Sequence, residues 1–316
     1  MTIEVATFGE ALGLMLAADG QPLRTARRFT RTVAGAELNL AVGLARLGHR
    51  VRWAGRVGDD PFGEDVVATL RAARVEVDAV RIDAAATGLL VRDHDGERRV
   101  RVLHHRAHSA GSRLAPEDLA ALLDPAPRAL HLTGITPALS TSAREATETI
   151  ADAAVAAGVP VSFDPNMRPR LWSHEEAAPV LRALAGRATI VLAGEDEAAW
   201  LTGCDDLAAM GRWFLDRNAR VVAIKRGARG AWVTDGATAV DVAPVPVAFP
   251  RDLVGAGDAF DAGFLSGWLD GLGAAESASR GAACGAACVR VAGDLDGLPT
   301  RGEVDDLLAG RDEVDR

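Results

Sequence analysis

Residues 252–263 read DLVGAGDAFDAG, in which two glycines and an aspartate lead directly into a helical pattern. Glycines at such a turn let successive backbone N–H groups point inward, and the N-terminus of the following helix adds partial positive charge. This combination is typical of a cradle for a phosphate group. Asp258 falls in the first turn of the predicted helix, where a carboxylate can stabilise the helix dipole or take a proton from a nearby hydroxyl. The spacing alone leaves both roles open.

On both sides of this stretch, buried-strand patterns alternate with helical patterns along the chain. We predict strands at 3–9, 51–57, 128–134, 158–163, 189–193, 220–225 and 231–234. We predict helices at 36–47, 61–73, 141–157, 206–217, 257–270 and 274–291. The alternation indicates βαβ units, and hence an α/β fold with a mainly parallel central sheet and helices on both faces. Ligands bind such sheets beyond the carboxyl ends of the strands.

Two segments without helical patterns, residues 11–33 and about 87–107, interrupt this alternation. The second contains strand patterns at 88–91 and 99–103 around a turn at 93–96, where the pair Asp95-Gly96 is typical of a hairpin. We expect the two segments to form a small β-sheet lid over one end of the central sheet. No linker divides the remainder, so the sequence predicts a single domain over residues 1–316.

The composition excludes several classes of protein. Hydrophobic residues make up 48% of the 316 residues and charged residues 25%, which is typical of a folded globular protein. The formal net charge of −9 disfavours nucleic acid and anionic membranes as partners, because the summed field repels polyanions. The sequence shows neither a long apolar run nor a signal-peptide pattern, so we expect a cytoplasmic protein. Its three cysteines lack the spacing of a disulfide framework or a zinc site.

Two separated motifs resemble the signatures of the ribokinase-like, or phosphofructokinase-B, family of carbohydrate kinases. The first motif spans residues 34–63 and reads AGAELNLAVGLARLGHRVRWAGRVGDDPFG. The second is the acid at 252 followed, after two residues, by Gly-Ala-Gly-Asp at 255–258. With the predicted lid between these motifs, the resemblance covers nearly the whole chain. It implies a ribokinase-like fold and phosphorylation of a sugar by ATP with Mg²⁺.

Within this family, three further segments resemble the 2-keto-3-deoxygluconate kinases. They read RAHSAGSRL at 106–114, LTGIT at 132–136 and FDPNMRPRLW at 163–172. The substrate of those kinases is a sugar acid, and arginine binds a carboxylate through two parallel charge-assisted hydrogen bonds. Arg106 in the predicted lid and Arg168 just after a predicted strand are suited to this contact. The resemblance therefore implies a primary hydroxyl of 2-keto-3-deoxygluconate as the phosphoryl acceptor.

The resemblance also implies a role for individual residues. Asp258 would accept the proton of the sugar hydroxyl, in an anion hole formed by the backbone of Gly255, Ala256 and Gly257. The residues implied to contact the sugar are Gly35, Asn39, Leu90, His105, Arg106, Arg168 and Asp294. The residues implied to bind the nucleotide are Lys225, which is the only lysine of the chain, Gly227, Gly230 and Glu197, the last of which would also organise Mg²⁺.

The sequence departs from the family pattern at three positions. Gly194 replaces the asparagine of an Asn-x-x-Glu element, and Leu90 and His105 stand where keto-deoxy-sugar kinases often have tyrosine. Loss of tyrosine hydroxyls weakens substrate discrimination, so the identity of the sugar stays open. The alternatives are a kinase for a neutral sugar or nucleoside, such as fructose, ribose or adenosine, and a non-catalytic sugar-binding regulator. The family resemblance further implies a homodimer formed through the lid.

Overall fold

The computed structural model describes residues 2–93 and 100–311. Within these ranges the strands are β1 (Val5–Phe8), β2 (Leu12–Ala17), β3 (Phe29–Ala34), β4 (Val51–Gly58), β5 (Val80–Asp83), β6 (Gly88–Arg92), β7 (Val102–His105), β8 (Ala129–Thr133), β9 (Val161–Asp164), β10 (Ile190–Gly194), β11 (Val221–Lys225), β12 (Ala231–Thr234) and β13 (Ala239–Val242). The helices are α1 (Ala36–Arg46), α2 (Pro61–Ala72), α3 (Thr141–Ala156), α4 (His174–Ala185), α5 (Glu195–Thr202), α6 (Leu207–Leu215), α7 (Ala256–Leu269), α8 (Ala274–Cys288) and α9 (Arg301–Leu308).

The larger of two sheets has nine strands in the order β13-β12-β11-β10-β9-β8-β1-β4-β5. All neighbours from β11 to β5 pair in parallel, whereas β12 and β13 add an antiparallel edge. Parallel neighbours need long crossover connections, which explains why helices alternate with these strands along the chain. The carboxyl ends of β8, β9, β10 and β11 therefore open on the same edge of the sheet, next to the end of β1.

Side chains of the central strands alternate between two hydrophobic cores, one on each face of the sheet. In β10, Ile190 and Leu192 pack into the core that contains residues of α1, α2, α7 and α8. Val191 and Ala193 of the same strand pack into the core that contains residues of α3, α4, α5 and α6. A strand buried on both faces reads as a continuous apolar run, as this one does. The predicted α/β class with helices on both faces is confirmed.

The smaller sheet, called the lid below, has four strands in the order β3-β2-β6-β7. β2 pairs in parallel with β6 and antiparallel with β3, and β7 pairs antiparallel with β6. Its hydrophobic cluster is small, with Leu14, Leu16 and Ala34 as the buried members. The predicted small β-sheet is confirmed. Most of the predicted turn at 93–96, together with the start of the predicted strand at 99–103, lies outside the described residues.

Some elements have no counterpart in the sequence-based expectation: β5, β13, α4, α5 and α9. α4 begins with a capping box formed by Ser173 and Glu176, but it contains Pro179, which breaks the helical pattern that a sequence reading looks for. The strand predicted from 158 begins at Val161, because Gly158 adopts a φ of 69° in the turn that ends α3.

The helices are also informative about membranes. Among residues 2–93 and 100–311, no helix combines the length and the apolar character needed to cross a bilayer. The expectation that residues 1–316 form a single domain stays a prediction.

Candidate active site

A cavity of about 1540 Å³ lies between the lid and the carboxyl ends of the parallel strands. All of the predicted site residues except His105 line it. They are Gly35, Asn39, Leu90, Arg106, Arg168, Glu197, Lys225, Gly227, Gly230, Gly255, Ala256, Gly257, Asp258 and Asp294. The structure therefore brings the two separated motifs and the lid together around one space.

The loop before α7 forms the expected cradle. Gly255 has a φ of 83° and caps the N-terminus of α7, so this position favours glycine. A Cβ there would lie 3.2 Å from the carbonyl oxygen of Asp294, which is tighter than an ordinary contact. The first turn of a helix leaves backbone N–H groups without partners inside the helix. These groups and the helix dipole make the end of α7 a suitable site for an anion.

Asp258, in the first turn of α7, has partners that orient both of its carboxylate oxygens. Asn39 of α1 donates a hydrogen bond from Nδ2 to Oδ2 of Asp258 at 2.8 Å, and Nδ2 of Asn166 lies 3.5 Å from Oδ1. Burial raises the pKa of Asp258, while the hydrogen bond from Asn39 and the charge of Arg168 oppose this shift. A carboxyl with a raised pKa is a stronger base once it is ionised, as proton abstraction from a hydroxyl requires.

Lys225, at the end of β11, lies beneath the cradle. Its Nζ donates to Oδ2 of Asp164 at 2.9 Å and contacts Oδ1 and Oδ2 of Asp261 at 3.0 and 3.1 Å. A Cβ on Gly257 would lie 3.7 Å from the same Nζ. Burial alone would lower the pKa of Lys225, but the two carboxylates outweigh it and raise the pKa above its ordinary value. Lys225 therefore stays charged and brings positive charge to the underside of the anion site.

Asp164 connects Lys225 to Asp258 through Asn166. Oδ1 of Asp164 accepts a hydrogen bond from the backbone N–H of Asn166 at 3.1 Å, and Oδ2 accepts one from its side-chain Nδ2 at 3.1 Å. Asn166 has a φ of 39°, so this local bonding holds an uncommon backbone conformation. Sequence reasoning quoted Asp164, Asn166 and Asp261 within motifs but gave them no role. Asp261 follows Asp258 by three positions, a spacing that puts both on one helix face and could have been noticed.

Glu197 supports the loop that carries Arg168. Its Oε1 accepts the backbone N–H of Met167 at 2.7 Å and its Oε2 accepts that of Gly194 at 3.1 Å. Burial and the neighbouring charge of Asp164 raise the pKa of Glu197. Its carboxylate thus joins the N-terminus of α5 to the loop after β9, at the wall of the cavity.

The loop between β11 and β12 forms the next part of the wall. Gly227 and Gly230 have φ values of 56° and 80°, and a Cβ on Gly230 would lie 2.0 Å from the carbonyl oxygen of Val242. Only glycine fits such a close approach of two backbones. The adjoining wall at 244–247 is made of two prolines and two valines. A flat apolar group next to the cradle would be well accommodated there.

The lid side of the cavity carries positive charge. Arg106 makes an ion pair with the buried Glu10, which also accepts a hydrogen bond from Ser109. Arg168 and Arg170 come from the loop after β9, and Nη1 of Arg170 donates to the carbonyl oxygen of Val102 in the lid at 2.9 Å. Burial lowers the pKa of His104, and Arg106, Arg170 and Arg168 add to this shift. Sequence reasoning did not single out Glu10, His104 or Arg170.

His105, which we expect to face the substrate, lies outside the lining of this cavity. His104 pairs with Leu90 across β6 and β7, and both line the cavity, whereas His105 pairs with Leu89 and lies outside the lining. Successive residues of a strand point to opposite faces, so an assignment that is off by one residue selects the wrong histidine. Arg106, just beyond the end of β7, also lines the cavity.

Comparison with known proteins agrees with this geometry. The model of the pfkB family of carbohydrate kinases matches residues 2–301. A 2-dehydro-3-deoxygluconokinase from Bacillus subtilis is 36% identical over 99% of this chain and 98% of its own length. A 2-dehydro-3-deoxygalactonokinase from Haloferax volcanii is 32% identical over the full length of both chains. The crystal structure of a PfkB protein from Polaromonas sp. JS666 is 39% identical, with a TM-score of 0.87 over 96% of this chain and 99% of that one.

Matches of this extent include the sheet, the lid and both motifs, so the protein is a carbohydrate kinase, an enzyme that transfers a phosphoryl group to a sugar hydroxyl. The chain belongs to the pfkB family. The resemblance seen in the sequence and the ribokinase-like fold that it implied are both confirmed.

Proposed function

We propose that the protein phosphorylates the primary hydroxyl of 2-keto-3-deoxygluconate, with ATP as donor, to give the 6-phosphate. The observation that carries this proposal is the group of cationic side chains on the cavity wall, Arg106, Arg168 and Arg170, with His104 beside them. A neutral sugar has no group that needs this charge, whereas a sugar acid presents a carboxylate that arginine binds well. The substrate named for the Bacillus subtilis relative supports the same conclusion.

In this mechanism Asp258 is the general base. Asn39 holds its carboxylate at the floor of the cavity, and the carboxylate takes the proton of the sugar hydroxyl as the oxygen attacks phosphorus. A sugar oxygen–phosphorus bond forms while the bond to the leaving oxygen of ADP breaks. The backbone N–H groups of Gly255, Ala256 and Gly257 stabilise the charge on the transferred group, and Lys225 adds positive charge from below.

ATP and Mg²⁺ fit the residues of the cavity. The cradle at the N-terminus of α7 suits the phosphates, and the apolar wall at 244–247 suits a base. No group of three or more ligating side chains in the described ranges could hold a metal ion alone. That suits Mg²⁺, because this ion keeps several waters and binds through one or two carboxylates plus phosphates. Glu197 would act through such a water, and bound Mg²⁺-ATP supplies the γ-phosphoryl group.

On the sugar side, we assign Arg106 and Arg168 to the carboxylate of the substrate, and Gly35, Asn39 and Asp294 to its hydroxyls. Gly35 suits a close approach, since its φ is 154° and a Cβ there would lie 2.6 Å from the carbonyl oxygen of Glu10. Leu90 contributes an apolar surface where a tyrosine hydroxyl would add a hydrogen bond. This difference bears on the choice between epimers, because the Haloferax volcanii relative carries the name of the galactonate form.

A panel of acceptors tests the proposal through ADP release with Mg²⁺-ATP. The panel contains 2-keto-3-deoxygluconate, its galactonate epimer, gluconate, fructose, ribose and adenosine. We expect turnover confined to the keto-deoxy acids, whereas turnover on fructose, ribose or adenosine would establish the neutral-acceptor alternative. No turnover on any sugar would favour a non-catalytic binding protein.

A variant of Arg168 sharpens the same test. Arg168→Ala should raise KM for the keto-deoxy acid about 100-fold, because hydrogen bonds to a charged group contribute roughly 1.5–3 kcal/mol. KM for ATP should not change. Arg144→Ala, which removes an arginine packed on the ring of Trp172, is the matched control and should leave both constants unchanged. An unchanged KM for the acid in Arg168→Ala would mean that Arg168 does not bind its carboxylate.

We also propose that the protein works in the cytoplasm and forms a homodimer through the lid. The apolar Leu103 of β7 is 52% exposed, and the adjacent His105 lies on the face of the lid away from the cavity, which supports a contact there. Light scattering on the purified protein measures the mass directly. Leu103→Asp should shift a dimer to monomer, and an unchanged mass would place any dimer contact elsewhere.

A further inference from the structure

Arg92, the last residue of lid strand β6, is buried between two aspartates that belong to the large sheet's side of the cavity. Its Nη1 lies 2.7 Å from Oδ2 of Asp252, and its Nη2 donates to Oδ1 of Asp294 at 2.6 Å. The exposed fractions of these three residues are 1%, 2% and 5%. Charges buried this deeply are costly unless each is paired, so the three side chains stabilise one another only as a set.

The first connection from Arg92 runs through Asp294 towards Asp258, the proposed base. Asn39 lies beside Asp294, where its amide opposes the rise that burial causes in the pKa of that carboxyl, and it donates from Nδ2 to Oδ2 of Asp258 at 2.8 Å. A displacement of Asp294 therefore changes the surroundings of Asn39, which holds the carboxylate of Asp258.

The second connection from Arg92 runs through Asp252 to the turn before the cradle. Oδ1 of Asp252 accepts the backbone N–H of Val254 at 3.1 Å, and Oδ2 accepts that of Gly293 at 3.1 Å. These bonds tie the residues just before Gly255 to the loop that carries Asp294. Asp252 thus shapes the turn from which the cradle amides project, and it is held in place by the guanidinium of Arg92.

We propose that Arg92 is a positioning residue for phosphoryl transfer, and that it sets the base and the cradle correctly only when strand β6 of the lid is seated. The lid has a small hydrophobic cluster of its own, so its seating depends on contacts with the rest of the chain. Arg92 supplies such a contact. Through Asp294 and Asp252, this contact affects both the base and the cradle. The proposal rests on the proposed function insofar as it takes Asp258 as the base and 255–257 as the cradle.

The test compares Arg92→Ala, Arg92→Lys and a control, using the acceptor that the wild-type enzyme turns over fastest. Arg92→Ala should lower kcat about 100-fold, because small displacements of catalytic groups have effects of that size, while KM for ATP changes little. Millimolar guanidinium should restore much of the lost kcat by occupying the vacated space, and methylammonium should not. Arg31→Ala removes an exposed lid arginine that pairs with Asp65, and it should leave kcat unchanged.

Arg92→Lys covers the case in which Arg92→Ala does not fold. Its ammonium keeps the positive charge but lacks the planar fork that contacts both aspartates, so kcat should fall to an intermediate value. A wild-type kcat in either variant would overturn the proposal. A folded Arg92→Ala whose low kcat does not respond to guanidinium would overturn it as well. A different preferred sugar would overturn the proposed substrate and leave this test intact.

Discussion

The cradle end and the lid end of the cavity are built in different ways. At the cradle, Lys225, Asp164 and Asp261 form a compact buried cluster at the ends of strands covered on both faces. At the lid, Arg168 and Arg170 are exposed and the sheet that faces them has a small hydrophobic cluster. The difference supports the proposal that the buried end carries the reaction and the more open end selects the acceptor.

The largest expected effect falls on the cradle end. Asp258→Asn should lower kcat about 1000-fold, because general-base catalysis contributes roughly 10²–10⁴-fold. ATP affinity, measured by calorimetry, should not change. Asp152→Asn removes a surface carboxylate of α3 that pairs with Arg187, and it is the matched control. Near-normal kcat in Asp258→Asn would remove the base from the mechanism.

Substitution of Lys225 tests how much its ion pairs stabilise the same end of the cavity. Lys225→Met should lower the free energy of unfolding by about 3–5 kcal/mol, because it leaves buried carboxylates without a partner. Urea denaturation measures the change, and Lys225→Met with Asp261→Asn should recover part of it. Arg187→Ala breaks a half-exposed ion pair and should cost less than about 1 kcal/mol. A small effect of Lys225→Met would contradict the contrast between the two ends.

The pH dependence of kcat/KM shows whether the charge of Arg168 at the lid end affects the pKa of Asp258 at the cradle end. Burial raises the pKa of Asp258, and the charge of Arg168 opposes that shift. The base acts in its ionised form, so kcat/KM should fall as the pH drops through this pKa. Arg168→Gln should raise the pKa further and move the acidic limb up by about one pH unit or less. An unmoved limb, with Arg31→Gln as control, would show that the lid-side charge does not reach the base.

The smallest effect distinguishes the two faces of the lid. His104→Ala should raise KM for the acceptor roughly fivefold, as expected for loss of one hydrogen bond, while His105→Ala should not. Steady-state kinetics with the preferred acceptor measures both. The reverse order would mean that β7 is shifted by one residue relative to β6.

Most of the fold could be predicted from the sequence because strands buried on both faces leave continuous apolar runs such as 190–193. Residues of the cradle could be predicted from the resemblance of 252–258 to a family motif, because the glycine turn by itself left the role of Asp258 open. α4 was hidden by Pro179, and the short α5 and α9 lack a long periodic pattern.

The side-chain partnerships could not be predicted. Lys225 was expected to meet ATP phosphates, but a single sequence does not show that Asp164 and Asp261, from distant elements, converge on its ammonium. His105 was chosen over His104 because the alternation of β7 is visible only once its register with β6 is known. Both cases depend on contacts between residues far apart in the chain, which carry no local signal.

The position of Lys225 determines how the protein reacts with reagents that acylate lysine. Because it is the only lysine of the chain, and its partly exposed ammonium is paired with two carboxylates at the wall of the cavity, any lysine acylation takes place inside the candidate active site. Acylation of Lys225 requires its ammonium to leave Asp164 and Asp261 and to lose a proton. The rate at which a small amine-reactive reagent modifies the ε-amine of Lys225 therefore measures how often these ion pairs break beneath the phosphate cradle.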